Sequence, residues 1–118
     1  MGPELFNKMR PYLGDEKALM DRMAGRMDLW EECVLLFPRE EILQEMEAAV
    51  KREDYGALYA SVHKLKGNLA NFGFDTAAEM AIKLLDAIKT LKYAEVKQLH
   101  STLAKTYTEM IERIGEVG

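Results

Sequence analysis

Leu58-Tyr59-Ala60-Ser61-Val62-His63-Lys64-Leu65-Lys66-Gly67-Asn68-Leu69-Ala70-Asn71-Phe72-Gly73 places apolar side chains at Leu58, Val62, Leu65, Leu69 and Phe72. Alternating steps of four and three are the core-facing seam of an amphipathic helix. Asp54 is suited to cap that helix, and Gly73 to end it. At about 100° per residue, Lys66 and Gly67 fall within roughly 60° and 40° of His63, one turn further along the helix. Histidine, lysine and glycine therefore share one small face, and it points away from the seam.

An outward imidazole with a cation beside it and no side chain on the following turn suits acceptance of a phosphoryl group from a macromolecular donor. Histidine is the side chain whose neutral, nucleophilic form is readily available near neutral pH. An ammonium at Lys66 offers three donors to phosphoryl oxygens, in charge-assisted contacts stronger than neutral ones. Glycine inside a helix costs roughly 0.8–1 kcal/mol against alanine, so Gly67 calls for a reason such as close approach of a partner. The other histidine, His100 in Lys97-Gln98-Leu99-His100-Ser101, has no such neighbours, and solvent exposure is expected for it.

The remaining chain also reads as helix. A short helix between Pro3 and Leu13 is interrupted or ended near Pro11. Asp15 caps a second, which stops at Gly25. Asp28 opens a longer one with Glu31 placed for a capping box, and Pro38 must kink or split it before Ile42, Met46, Ala49 and Val50 continue the apolar side. Asp75 caps the helix after the histidine helix, with Ala78, Ile82, Leu85 and Ile88 on one face. The last runs from about Ala94 to Ile114, with a seam of Val96, Leu99, Leu103, Tyr107, Met110 and Ile114. Short connections favour antiparallel neighbours. The fold expected is all-α: one domain over 1–118, with N-terminal helices in 1–26 and an up-down antiparallel four-helix bundle in 28–115.

His63-x-x-Lys66-Gly67 with the later Gly73 resembles the motif of the histidine-containing phosphotransfer (HPt) family. Glu53-Asp54-Tyr55 is similar to that family's acidic turn before the histidine helix, and Asp28-Leu29-Trp30 through Phe37 to the start of its preceding long helix. The resemblance runs from about Asp15 to the end. It implies a phosphocarrier of a two-component phosphorelay, with His63 as phosphoacceptor between aspartates of receiver domains. Lys66 would then stabilise the phosphoryl group and Gly67 would leave the receiver access. Lys64, Asn71 and Gly73 are candidate docking residues, and Gln44 or Asp86, on flanking helices, could orient the imidazole. The partners implied are receiver domains and a sensor histidine kinase. Phe72-Gly73-Phe74 also resembles the phosphoacceptor domain of chemotaxis-type kinases, charged directly by an ATP-bound kinase domain. A structural helical adaptor with a vestigial site is the reading from another class.

Composition narrows the alternatives. The 118 residues are 48% hydrophobic and 31% charged, with a net charge of −4, the balance of a globular chain rather than a nucleic-acid binder. No apolar run approaches a membrane span and no signal segment is evident, so a cytoplasmic monomer is expected. Cys33, the single cysteine, reads as buried on the Trp30–Phe37 helix face. Met9, Met20, Met23, Met27, Met46, Met80 and Met110 read chiefly as gap-filling core residues, with Met20, Met23 and Met27 the ones best placed for docking. The chain has no nucleotide-cradling glycine loop, no paired His-x-x-x-His or Cys-x-x-Cys, and no hydrolase triad. Neither a kinase activity of its own, nor a cofactor, nor a metal is expected.

Overall fold

The computed structural model describes residues 4–37 and 40–117. They form α1 (Glu4–Met9), a 3₁₀ turn (Arg10–Tyr12), α2 (Glu16–Arg22), α3 (Met27–Leu35), α4 (Glu40–Lys51), α5 (Tyr55–Asn71), α6 (Asp75–Lys89) and α7 (Tyr93–Val117). The bundle is α4–α7, each helix packed against the next, with α4 closing the ring on α7. Its core is the seam of α5 (Leu58, Val62, Leu65, Leu69) meeting Met46 and Ala49 of α4, Leu84 of α6, and Leu103, Tyr107 and Met110 of α7. Burying each leucine contributes about 1.5–3 kcal/mol. Among the described residues, no helix is long and apolar enough to cross a membrane.

α7 has ten residues more than α6, and the surplus is covered by α1. Lys8 Nζ lies 2.8 Å from Glu116, and Arg113 donates to the Lys8 carbonyl at 3.2 Å. Trp30 of α3 is wholly buried between Phe6 and Phe74, and Phe37 packs edge-on to Phe72 and Phe74. The N-terminal helices thus lid the end of the bundle where α5 turns into α6.

Sequence and structure differ at particular points. The bundle starts at Glu40, not near Asp28, because the chain breaks after α3 into two helices; Pro38, the residue expected to split them, lies outside the described residues, as does Pro3. No capping box forms at Asp28. That carboxylate pairs with Arg26, while Glu31 is buried on α3. Asp75 is the first residue of α6 rather than its cap: Phe74 holds the cap position, and the Asp75 carboxylate is turned toward the Asp15 N–H at 3.4 Å. Ile82 is 52% exposed and outside the seam, whereas Ala78, Leu85 and Ile88 are buried as expected, together with Ala77, Ala81 and Leu84. Cys33, Leu99 and Val50 are half-buried. Met20, Met23 and Met27 are half-buried against the core, in line with the core reading and not with docking. By contrast Asp15 and Asp54 do cap α2 and α5, accepting from Ala18 N–H at 3.0 Å and Ala57 N–H at 3.1 Å.

Candidate functional site

α5 is fixed at both ends. Its first turn is capped by Asp54, and its last carbonyls, which the helix cannot pair itself, are taken up from outside. Arg22 of α2 donates to Ala70 and Asn71 at 3.1 and 3.2 Å. The Trp30 indole N–H donates to Phe72 at 3.0 Å, and the Gly14 N–H to Gly73 at 3.0 Å. Within the turn itself, Phe74 N–H returns to Leu69 and Gly73 N–H to Ala70, the paired bonds that end a helix on a left-handed residue. That residue is Gly73, at φ +82, where an added Cβ would come within 2.9 Å of Leu19 Cδ2. Gly73 is buried. Its role is the turn, and the expectation that it lies on a docking face is corrected.

His63 stands near the middle of α5 and is exposed, as is Lys64; Lys66 and Gly67 are half-buried, and Asn71 is exposed at the helix end. A Cβ added at Gly67 would meet nothing within 4 Å. Helical side chains lean toward the N-terminus, over the preceding turn, so a side chain at 67 would project across residue 63. The absence of one leaves that side of the imidazole open. The same lean carries the Lys66 stem back toward His63, and neither Lys64 nor Lys66 forms a salt bridge among the described residues. The arrangement is a reachable nucleophile with unpaired ammonium groups alongside.

The imidazole makes no hydrogen bond among the described residues. Gln44 lines a surface groove with Ala57 and Ser61, and Ser61 lies about 160° round α5 from His63. Asp86 is exposed on α6 and has no bond to the ring. The neighbour that His63 does have is Tyr59, one turn earlier, whose ring lies 6.1 Å away and within 16° of parallel. Sequence reading misses it, although its i, i+4 spacing is visible there. Ile82, read from the sequence as core-facing, is exposed on α6. At 1.5 Å per residue, His63 lies about 12 Å below the end of α5 and Ile82 about 10 Å below the start of antiparallel α6, so the two are nearly level.

His100 is not the exposed residue expected. It is half-buried on α7, its Nε2 has no hydrogen-bond partner, and burial holds its pKa below the ordinary 6.5 against the opposing charge of Glu47. It is the less accessible imidazole. No group of three or more histidine, cysteine and acidic side chains able to hold a metal occurs among the described residues.

Comparison with protein families matches the Hpt domain over residues 39–116, an interval that contains α4, the whole His63 helix α5, α6 and all but the last residue of α7. Comparisons with curated proteins and with solved structures find no match. Hpt domains are phosphocarriers rather than kinases, working through a histidine in phosphorelays where they meet receiver domains and kinases. The matched interval is more than half of the chain and coincides with the helical bundle, and the chain belongs to the Hpt domain family.

Proposed function

We propose that His63 is the phosphoacceptor, taking the phosphoryl group from the aspartyl-phosphate of one receiver domain and passing it to the aspartate of another. The carrying observation is the exposed imidazole beside the open turn at Gly67, where an added Cβ would have no neighbour within 4 Å. A lone pair on one ring nitrogen attacks phosphorus, the bond to the aspartyl oxygen breaks, and the carboxylate leaves. Return transfer reverses these steps. Lys66 contributes donors to the phosphoryl oxygens, and the receivers contribute the divalent metal that neutralises the transferring group. Lys64 and Asn71, exposed on α5, and Ile82, exposed on α6 at about the height of His63, meet the receiver.

The test is labelling by a phosphorylated receiver. His63→Gln abolishes the acid-labile label with helical circular dichroism unchanged, whereas His100→Gln keeps it. Lys66→Ala slows transfer or shortens the phosphohistidine lifetime, since a charge-assisted contact is worth about 1.5–3 kcal/mol. ATP with Mg²⁺ alone gives no label. Label persisting in His63→Gln refutes the assignment.

A further inference from the structure

His63 lacks the orienting hydrogen bond a working imidazole usually has, yet an exposed ring free about two side-chain torsions would spend most of its time misdirected. We propose that Tyr59 is the positioning residue: its ring forms a shelf against which the His63 imidazole is held. The inference rests on His63 being the phosphoacceptor.

Residues four apart in a helix lie one above the other, and the lean of helical side chains brings the ring of the later residue over the earlier one. His63 therefore falls toward Tyr59 and away from Gly67. The centroid separation of 6.1 Å and the 16° interplanar angle are those of an offset stack. Tyr59 is itself half-buried and packed against the core, so the shelf is anchored while the imidazole above it is exposed. Neither candidate from the flanking helices fills this role: Gln44 sits in a groove on another side of α5, and Asp86 makes no bond to the ring. One side of the imidazole is covered by Tyr59 and the opposite side faces the vacant turn at Gly67. The site thus has a fixed back and an open front.

The experiment uses the full chain and phosphoramidate, a small donor that removes receiver docking from the measurement. As the ring nitrogen bonds to phosphorus, the P–N bond of phosphoramidate breaks and ammonia leaves. Tyr59→Phe retains the ring and labels at the parent rate. Tyr59→Ala and Tyr59→Leu slow labelling by roughly two- to tenfold, the factor equivalent to one aromatic pair. In both slowed variants the His63 Cε1–H and Cδ2–H resonances move as the neighbouring ring current is lost. Tyr59→Leu keeps apolar bulk on the core, so it is the deciding variant if alanine loosens α5. Full-rate labelling of Tyr59→Leu overturns the positioning role, as does a Tyr59→Phe variant slowed as much as the leucine one. Label passed to His63→Gln by a phosphorylated receiver overturns the phosphoacceptor assignment instead, which keeps the two failures apart.

Discussion

Gly67 and Gly73 stand six residues apart on the same helix and its exit turn, and the same substitution has opposite signs at the two. At Gly67 the backbone is helical and an alanine Cβ meets nothing within 4 Å, so the substitution recovers the helix-propensity difference of about 0.8–1 kcal/mol. Unfolding entropy of about 2.1 cal/mol/K per residue over 118 residues is roughly 0.25 kcal/mol/K, which converts that gain to a rise in Tm of about 4 °C. At Gly73 alanine must adopt φ near +82 and push Leu19 aside from a 2.9 Å contact. The left-handed conformation alone costs about 1–2 kcal/mol, a fall of roughly 4–8 °C before any displacement of Leu19. Thermal unfolding followed by circular dichroism reads both. Gly67→Gln adds the functional arm: it also gains helix propensity, but its side chain projects back across residue 63, so Tm holds or rises while transfer from a phosphorylated receiver collapses. A destabilised Gly67→Ala variant, or a Gly67→Gln variant that transfers at the parent rate, refutes the reasoning.

Leu91 follows α6 in the left-handed conformation at φ 62 with its side chain 69% exposed, so Leu91→Gly relieves backbone strain without opening the core and raises stability by roughly 1 kcal/mol. Urea unfolding checks this, and phosphotransfer is expected to be unchanged because the turn lies at the opposite end of the bundle from Gly73. Burial lowers the His100 pKa in the folded chain, so the unfolded chain takes up the proton first as pH falls through about 6.5, and stability is present above that pH and declines below it. The dependence levels off below the folded pKa. His100→Gln removes this contribution, and urea midpoints of the two proteins at pH 7.5 and 5.5 measure the difference.

What is legible in the sequence is periodic. The seam of α5 can be read at Leu58, Val62, Leu65 and Leu69 because large aliphatic side chains mark a buried stripe whenever the helix is amphipathic. The same criterion misplaces Ile82, since α6 packs by alanines, Ala77, Ala78, Ala81 and Ala87, which mark a stripe only weakly. Caps are legible at Asp15 and at Asp54, whose other oxygen only loosely meets Arg52 at 3.8 Å, and misleading where the carboxylate is engaged elsewhere: Arg26 holds Asp28 through two bonds, and the N-terminal turn engages Asp75. His63, Lys66 and Gly67 are recognisable as a set because their spacing on one helix is a local property. Tyr59 obeys the same spacing, but a tyrosine reads as packing until a ring is seen stacked upon it. The half-burial of His100 depends on how α7 meets α4, a tertiary fact that no local pattern carries.

The family match begins at residue 39, yet the helix bearing His63 does not end by its own resources. Leu69, Ala70 and Gly73 receive bonds from the turn, but Asn71 and Phe72 accept from Arg22 and Trp30, and Gly73 accepts a second bond from Gly14; these three donors precede the matched interval. A buried carbonyl without a partner costs about 1–3 kcal/mol, so the part-buried Trp30 bond belongs to the stability of α5 as its leucines do, while the exposed Arg22 bond contributes less. Gly73 shows the coupling from the other side. α2, α4 and α6 are each followed by a left-handed residue that is not glycine, namely Ala24, Glu53 and Leu91, so the left-handed turn alone does not demand one. After α5 the demand comes from Leu19, which fills the space where a Cβ would stand. The glycine that resembles part of a phosphotransfer motif is therefore accounted for by helix α2 packing onto the end of the histidine helix.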